Sequence, residues 1–180
     1  HDGVASLMRK DMFTALRIAR LACYFNASFN NLYTVLVAWE QEMYKELDFN
    51  HEADNLRVVQ ANLERAGVEA VVPVPLPSLV STRAFAMSYE DGFKLTDEAA
   101  MAMHAVDKEA LMCRIIQVYG QQLFIDGFFN ADPHAGNLLV QVKRGRAHPV
   151  LLDFGMTVRL SETQRIGYAA LAFAAHQLDI

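Results

Sequence analysis

Two short apolar runs, "NLLVQV" at 137–142 and "PVLLDF" at 149–154, flank the polar segment "KRGRAH". Short strand-forming runs around a Gly-containing turn fold back as a hairpin. A hairpin returns the end of one strand to the start of the other. Asn137 and Asp153 are therefore predicted to be spatial neighbours. Asp132 stands just upstream, in the loop that follows "DGFFN". All three lie in or against apolar runs, where an unpaired carboxylate is costly unless a cation or hydrogen bonds neutralise it. No Lys or Arg stands close in sequence to Asp132 or Asp153 on the apolar side. A bound metal would resolve that cost.

The rest of the chain reads as helices around this hairpin. Residues about 4–28 carry a broad apolar face. Leu32, Val35, Leu36, Trp39 and Met43 follow the helical period and predict a second helix ending near "KELDFN". A third spans about 50–65 and stops at Gly67. "VEAVVPVPLP" is extended and Pro-rich, so it is not central strand throughout. "STRAFAMSYEDG" predicts a strand running into a turn at Asp91-Gly92. "DKEALMCRIIQVYGQQLFIDG" predicts one long buried helix capped by Asp107. Ser161 and Gln164 form a capping box that opens a last helix. The order of elements predicts an α+β, mostly helical fold.

The chemistry follows from residue type. A carboxylate and an amide oxygen are hard ligands of the kind magnesium takes, with phosphate and water completing its shell. Asp153 and Asn137 are thus candidate metal ligands. Asp132 is left to orient or deprotonate a hydroxyl, or to position water. D-x-x-x-x-N, then a hairpin, then D-F-G is the catalytic arrangement of protein-kinase-like phosphotransferases. Taken singly, each of these residues also reads as a turn or cap residue. His134 reads as a loop hydrogen-bonding residue, and the remaining histidines as structural or solvated.

Glu52 is a charge on an apolar face. It lies at helical spacing with Leu56, Val59 and Leu63, so it points toward the core and calls for a cation. A place in the first turn, favourable to the helix dipole, is the plainer account. Glu46 and Asp48 form a second acidic pair just upstream.

Composition excludes little. A net charge of −5 disfavours a nucleic-acid partner. Cys23 and Cys113 match no zinc or disulfide spacing and read as core residues. No run of about 18 apolar residues marks a membrane helix, and no targeting segment is visible. The chain starts at His1 and ends at Ile180 inside an apolar pattern, so it reads as a segment of a longer protein.

"KELDFNHEADN", "DGFFNADPHAGNLLV" and "VLLDFGM" together resemble the UbiB family of atypical kinases, also called the aarF-domain-containing kinase family. The resemblance covers nearly the whole chain. It implies a protein-kinase-like fold, cut at both ends. Residues 1–92 would hold a helical region, a small-lobe remnant and the hinge; 93–180 would hold the larger lobe. It implies ATP and Mg2+ as cofactors. Asp132 matches the catalytic-loop Asp, and Asn137 and Asp153 the magnesium ligands. Glu52 matches the helix Glu that pairs with a strand Lys. Glu46 and Asp48 match an acidic E-x-D motif facing the nucleotide. Met87 through Gly92, with Met87 and Tyr89 foremost, match the hinge that contacts adenine. The strand Lys, the K-x-G-Q motif and the nucleotide loop do not occur in this chain. The fragment alone is therefore expected to be inactive. Asn130 stands where many members carry His, and Ala135 replaces a common Pro. The resemblance implies a role in ubiquinone, plastoquinone or lipid metabolism. It also implies membrane lipid or quinone-biosynthesis proteins as partners, and a mitochondrial or plastid, membrane-associated location.

Two alternatives share parts of this pattern. One is a small-molecule phosphotransferase of the aminoglycoside or choline kinase type, which lacks "KELDFNHEA" and the helices before it. The other is a nucleotide-binding pseudokinase or scaffold. In a scaffold, "IGYAALAFAAHQL" would dock to a partner or membrane rather than, as preferred here, pack on its lobe.

Overall fold

Ala53, Leu56, Val59 and Leu63 recur at helical spacing, and burying them sets the centre of the molecule. In the computed structural model they form the buried stripe of α3, Phe49–Ala66. The structure describes residues 3–46 and 48–177, except for the side chains of Val4, Ala5, Glu42, Lys45 and Glu46. Asp48 caps α3 by accepting from the Asn50 amide at 3.0 Å. Gly67 ends it in the left-handed conformation, φ 67°, which costs a glycine little. Ahead of α3, α1 (Val4–Phe25) and α2 (Asn30–Glu46) are joined by a 3-10 turn at Ala27–Phe29. Met12, Ala19 and Met43 are buried.

Two small antiparallel pairings and one three-stranded sheet complete the α+β architecture. β1 (Pro75–Val80) pairs with β2 (Phe85–Met87). The central sheet runs β3 (Phe93–Lys94), β5 (Leu138–Lys143), β6 (Arg146–Leu151). Its hairpin is in register from Leu138↔Leu151 to Lys143↔Arg146. Arg144 (φ 51°) and Gly145 (φ 73°) make the two-residue turn, the left-handed pair that suits strand twist. β4 (Phe128–Asn130) pairs with β7 (Thr157–Arg159). Between β3 and β4 come α4 (Glu98–Met103) and α5 (Lys108–Gly120). α6 (Glu162–Gln177) closes the described chain. The main core joins α3, α5, the hairpin and Phe154, which is fully buried. A second cluster sets Met101, Leu111 and Ile115 against Val140 and Ala147.

Several expectations are corrected. The long helix after Asp107 becomes α5 followed by a π turn at Gln121–Asp126. Such a turn has no compositional signature. Asp91-Gly92 is not a turn of the glycine-requiring kind, since Gly92 is not among the positive-φ residues. It is an approach point, because a Cβ there would lie 2.9 Å from the Val140 carbonyl oxygen. Gly92→Ala should therefore push β3 off β5 and cost about 1–3 kcal/mol by chemical denaturation. Leu32, Val35 and Trp39 lie on an exposed side of α2, whereas Leu36 is half-buried and Met43 buried. Packing uses the other side of that helix. Cys113 is exposed rather than core, and Cys23 is half-buried. On α6, Ile166, Leu171 and Phe173 are exposed, so the expected burial of that helix on its lobe does not hold for them. The α6 capping box does form, Ser161 and Gln164 exchanging bonds of 2.9 and 3.3 Å.

His148 of β6 gives this fold a pH dependence. Burial, foremost, holds the imidazole below its ordinary value of 6.5; Arg114, Lys143 and Arg146 act the same way, and Glu69 opposes them. The unfolded chain then binds a proton that the fold resists. This stability is fully present above pH 6.5 and is lost as pH falls through the folded value. Denaturant titrations of His148→Gln should show a shallower decline below pH 6.5 than those of the parent chain.

Candidate functional site

The two-residue turn fixes the hairpin register, and the register fixes the site. Leu152 donates its amide to the Asn137 carbonyl at 3.0 Å, closing the base of the hairpin. Beyond it, Asn137 Nδ2 donates to Asp153 Oδ2 at 3.2 Å. The predicted neighbours meet. The other Asp153 oxygen, Oδ1, accepts from the Gly155 amide at 2.8 Å. Both side chains are half-buried, not enclosed.

Asp132 departs from the expected burial. Its side chain is 51% exposed. The apolar residues before it, Phe128 and Phe129, belong to β4, and the chain turns out of the core after Asn130. His134 shapes the loop, accepting from the Gly136 amide at 3.0 Å through Nδ1. Its Nε2 lies 3.8 Å from Asp132 Oδ2. The charge of Asp132 also reaches Tyr119, whose phenol is pushed up first by burial and then by that carboxylate.

Asn130, a position noted only as a variant of the family pattern, ties the two loops together. Its Nδ2 donates to the Asp153 carbonyl at 2.7 Å, and its Oδ1 accepts from the Asp132 amide at 2.8 Å. Asn55, on α3, donates to the Phe154 carbonyl at 2.9 Å. Neither stood out by residue type. Asn55 shares a helix with Glu52, and a polar residue one position before a buried Leu was the available signal.

Glu52 reaches the site from α3. Burial, then the charge of Asp153, push its carboxyl above the ordinary value, and a bond from the Phe154 backbone partly offsets them. Two carboxylates thus share one half-buried corner, an arrangement that a cation would relieve. Asp48 is engaged as the α3 cap; its bonds from Asn50 hold its carboxyl below the ordinary value. The Glu46 side chain lies outside the described residues. Met87 ends β2, and Tyr89 is 87% exposed just beyond it. Neither is seen to join the Asp132, Asn137 and Asp153 cluster.

No group of three or more His, Cys, Asp or Glu among the described residues could hold a metal by itself. Magnesium is commonly held by one or two protein oxygens together with phosphates and water. The hard donors of Asp153 and Asn137 fit that mode, once the Asn137 amide turns its oxygen inward. No helix among the described residues is long and apolar enough to cross a membrane.

A carboxylate–carboxamide pair lies at the base of the hairpin, with a second carboxylate segment tethered beside it through Asn130. The chain matches the ABC1 atypical kinase-like domain model over residues 1–180. It therefore belongs to the ABC1 atypical kinase-like family. It is similar to AarF domain-containing protein kinase 1 of Gallus gallus, at 28% identity over all of this chain and 35% of the relative. The Mus musculus protein of that name is 34% identical over 70% of this chain and 24% of its own length. The probable protein kinase UbiB of Pseudomonas putida is 28% identical over 98% of this chain and 33% of its own length. The chain thus spans about a quarter to a third of the length of these curated relatives.

Proposed function

We propose that the full-length protein is an ATP- and magnesium-dependent atypical kinase or ATPase of the UbiB type, built on a protein-kinase-like fold. The carrying observation is the 3.2 Å contact between Asn137 and Asp153, with Asp132 tethered to the same corner through Asn130. In this reading Asp153 and Asn137 hold magnesium, which when bound neutralises charge on the nucleotide phosphates. Asp132 orients the attacking hydroxyl or water and accepts its proton. Its exposure suits contact with an acceptor from solvent. Glu52 pairs with a Lys of the full-length protein, which would relieve its repulsion from Asp153. Residues 1–92 carry the hinge, with Met87 and Tyr89 near adenine, and 93–180 the larger lobe. Glu46 and Asp48 face the nucleotide; for Asp48 that role would compete with capping α3. The partners proposed are a membrane lipid or quinone-biosynthesis proteins, in a mitochondrion or plastid, with quinone or lipid metabolism as the setting.

The test is turnover of ATP by the full-length protein. Asp132→Asn keeps the shape of the side chain but cannot take a proton. It should lower kcat by about 10²–10⁴, with ATP affinity little changed. Equal kcat in wild type and variant would remove Asp132 from this role. ATP binding without turnover in the wild type would favour the pseudokinase reading.

A further inference from the structure

We propose that Gln122 is a positioning residue of this site, acting through Asn130. The proposal rests on the phosphotransferase reading only for its effect on rate; its structural content stands by itself. Gln122 lies on the π turn, at the position where the buried stripe Leu111, Ile115, Val118 of α5 would continue. A Leu or Met would suit that place. Gln122 is instead fully buried, with its Oε1 accepting the Asn130 amide at 3.1 Å and its Nε2 without a partner among the described residues. Burying an unpaired amide NH2 is unfavourable, so the oxygen is what the position needs.

The need arises from β4. Ala131 donates its amide to the Met156 carbonyl at 2.8 Å, continuing the pairing with β7. The Asn130 amide instead goes to Gln122. That bond fixes the Asn130 backbone, and the Asn130 side chain then spends its donor on the Asp153 carbonyl and its acceptor on the Asp132 amide. One buried oxygen thereby sets the spacing between the Asp132 and Asp153 segments. The π turn is itself held from α6, where the Arg165 guanidinium donates to the Ile125 carbonyl at 2.6 Å. The wide turn ends at Gly127, φ 61°.

The experiment is residue-resolved amide hydrogen exchange on the full-length protein, paired with ATP affinity and turnover. Gln122→Met keeps the volume and removes the acceptor. Asn130→Leu removes both side-chain bonds, and Asn130→His restores one donor and one acceptor. In Gln122→Met the amides of Asn130 and Asp132 should exchange at least about tenfold faster, with β5 and β6 amides unchanged. Turnover should fall about 10–100-fold, with ATP affinity within about threefold. Asn130→Leu should free the Asp132 amide alone, and Asn130→His should recover most of the turnover that Asn130→Leu loses. Unchanged exchange at Asp132 in both Gln122→Met and Asn130→Leu would overturn the proposal. So would equal acceleration across the hairpin, which would mark Gln122 as merely structural. If the wild type neither binds nor turns over ATP, the phosphotransferase reading fails, and the exchange result still decides the positioning role.

Discussion

Asp153→Asn is expected to abolish magnesium-dependent turnover while making the ligand-free protein more stable at neutral pH. The two effects have one cause. Asp153 is the only charged member of the candidate metal pair, and losing a ligand should exceed the roughly 10–100-fold cost of losing an outer partner. After burial, the same charge raises the Glu52 carboxyl above its ordinary value of 4.5. Because the folded value is the higher one, the fold binds more protons than the unfolded chain. Stability therefore declines as pH rises from 4.5 through the folded value. Taking away the Asp153 charge shrinks that decline. An Asn at 153 still accepts from the Gly155 amide through Oδ1, and Asn137 can turn its amide to accept in turn. Thermal unfolding without nucleotide, at pH 4.5 and at pH 7, should show the variant gaining on the parent mainly at pH 7. A variant that is destabilised at pH 7 would mean that Asp153 serves the fold more than the site.

Phe154→Ala should cost about 3–5 kcal/mol, enough to unfold a marginal domain. Phe154 is fully buried, in the cluster that includes Leu56 and Val59 of α3, Val118 of α5 and Leu138 of the hairpin. It is adjacent to Asp153, and its carbonyl is held by Asn55. The ring therefore seats the second loop of the site on the core. Phe154→Leu leaves a smaller void and should lose less, about 1–2 kcal/mol. Denaturant midpoints of the two variants check this. A Phe154→Ala loss below about 1 kcal/mol would show that α3 and the hairpin hold the loop without the ring.

The parts legible in the sequence are those with a local physical signature. Arg144-Gly145 between two apolar runs specifies a tight turn, and from the turn follow the register and the meeting of Asn137 with Asp153. The 3.6-residue stripe of α3 and its stop at Gly67 are equally local. The parts that were not legible depend on which faces meet. Asp132 follows apolar residues, yet β4 pairs with β7 and the chain leaves the core directly after Asn130. The apolar residues of α2 and α6 follow a helical period, but periodicity does not say whether anything covers them. The π turn has no composition of its own. Gln122 and Asn130 were hidden as polar residues within apolar runs, which is also what should have marked them. Such residues are costly to bury without a purpose, and here they bind the two loops together.

Titration calorimetry of ATP into the full-length wild-type protein, with and without Mg2+ and repeated with Asp153→Asn, tests the central claim most directly. The account predicts saturable binding that requires magnesium and is lost in the variant. Magnesium-independent binding of equal strength in both proteins, or no binding to the wild type, would contradict it.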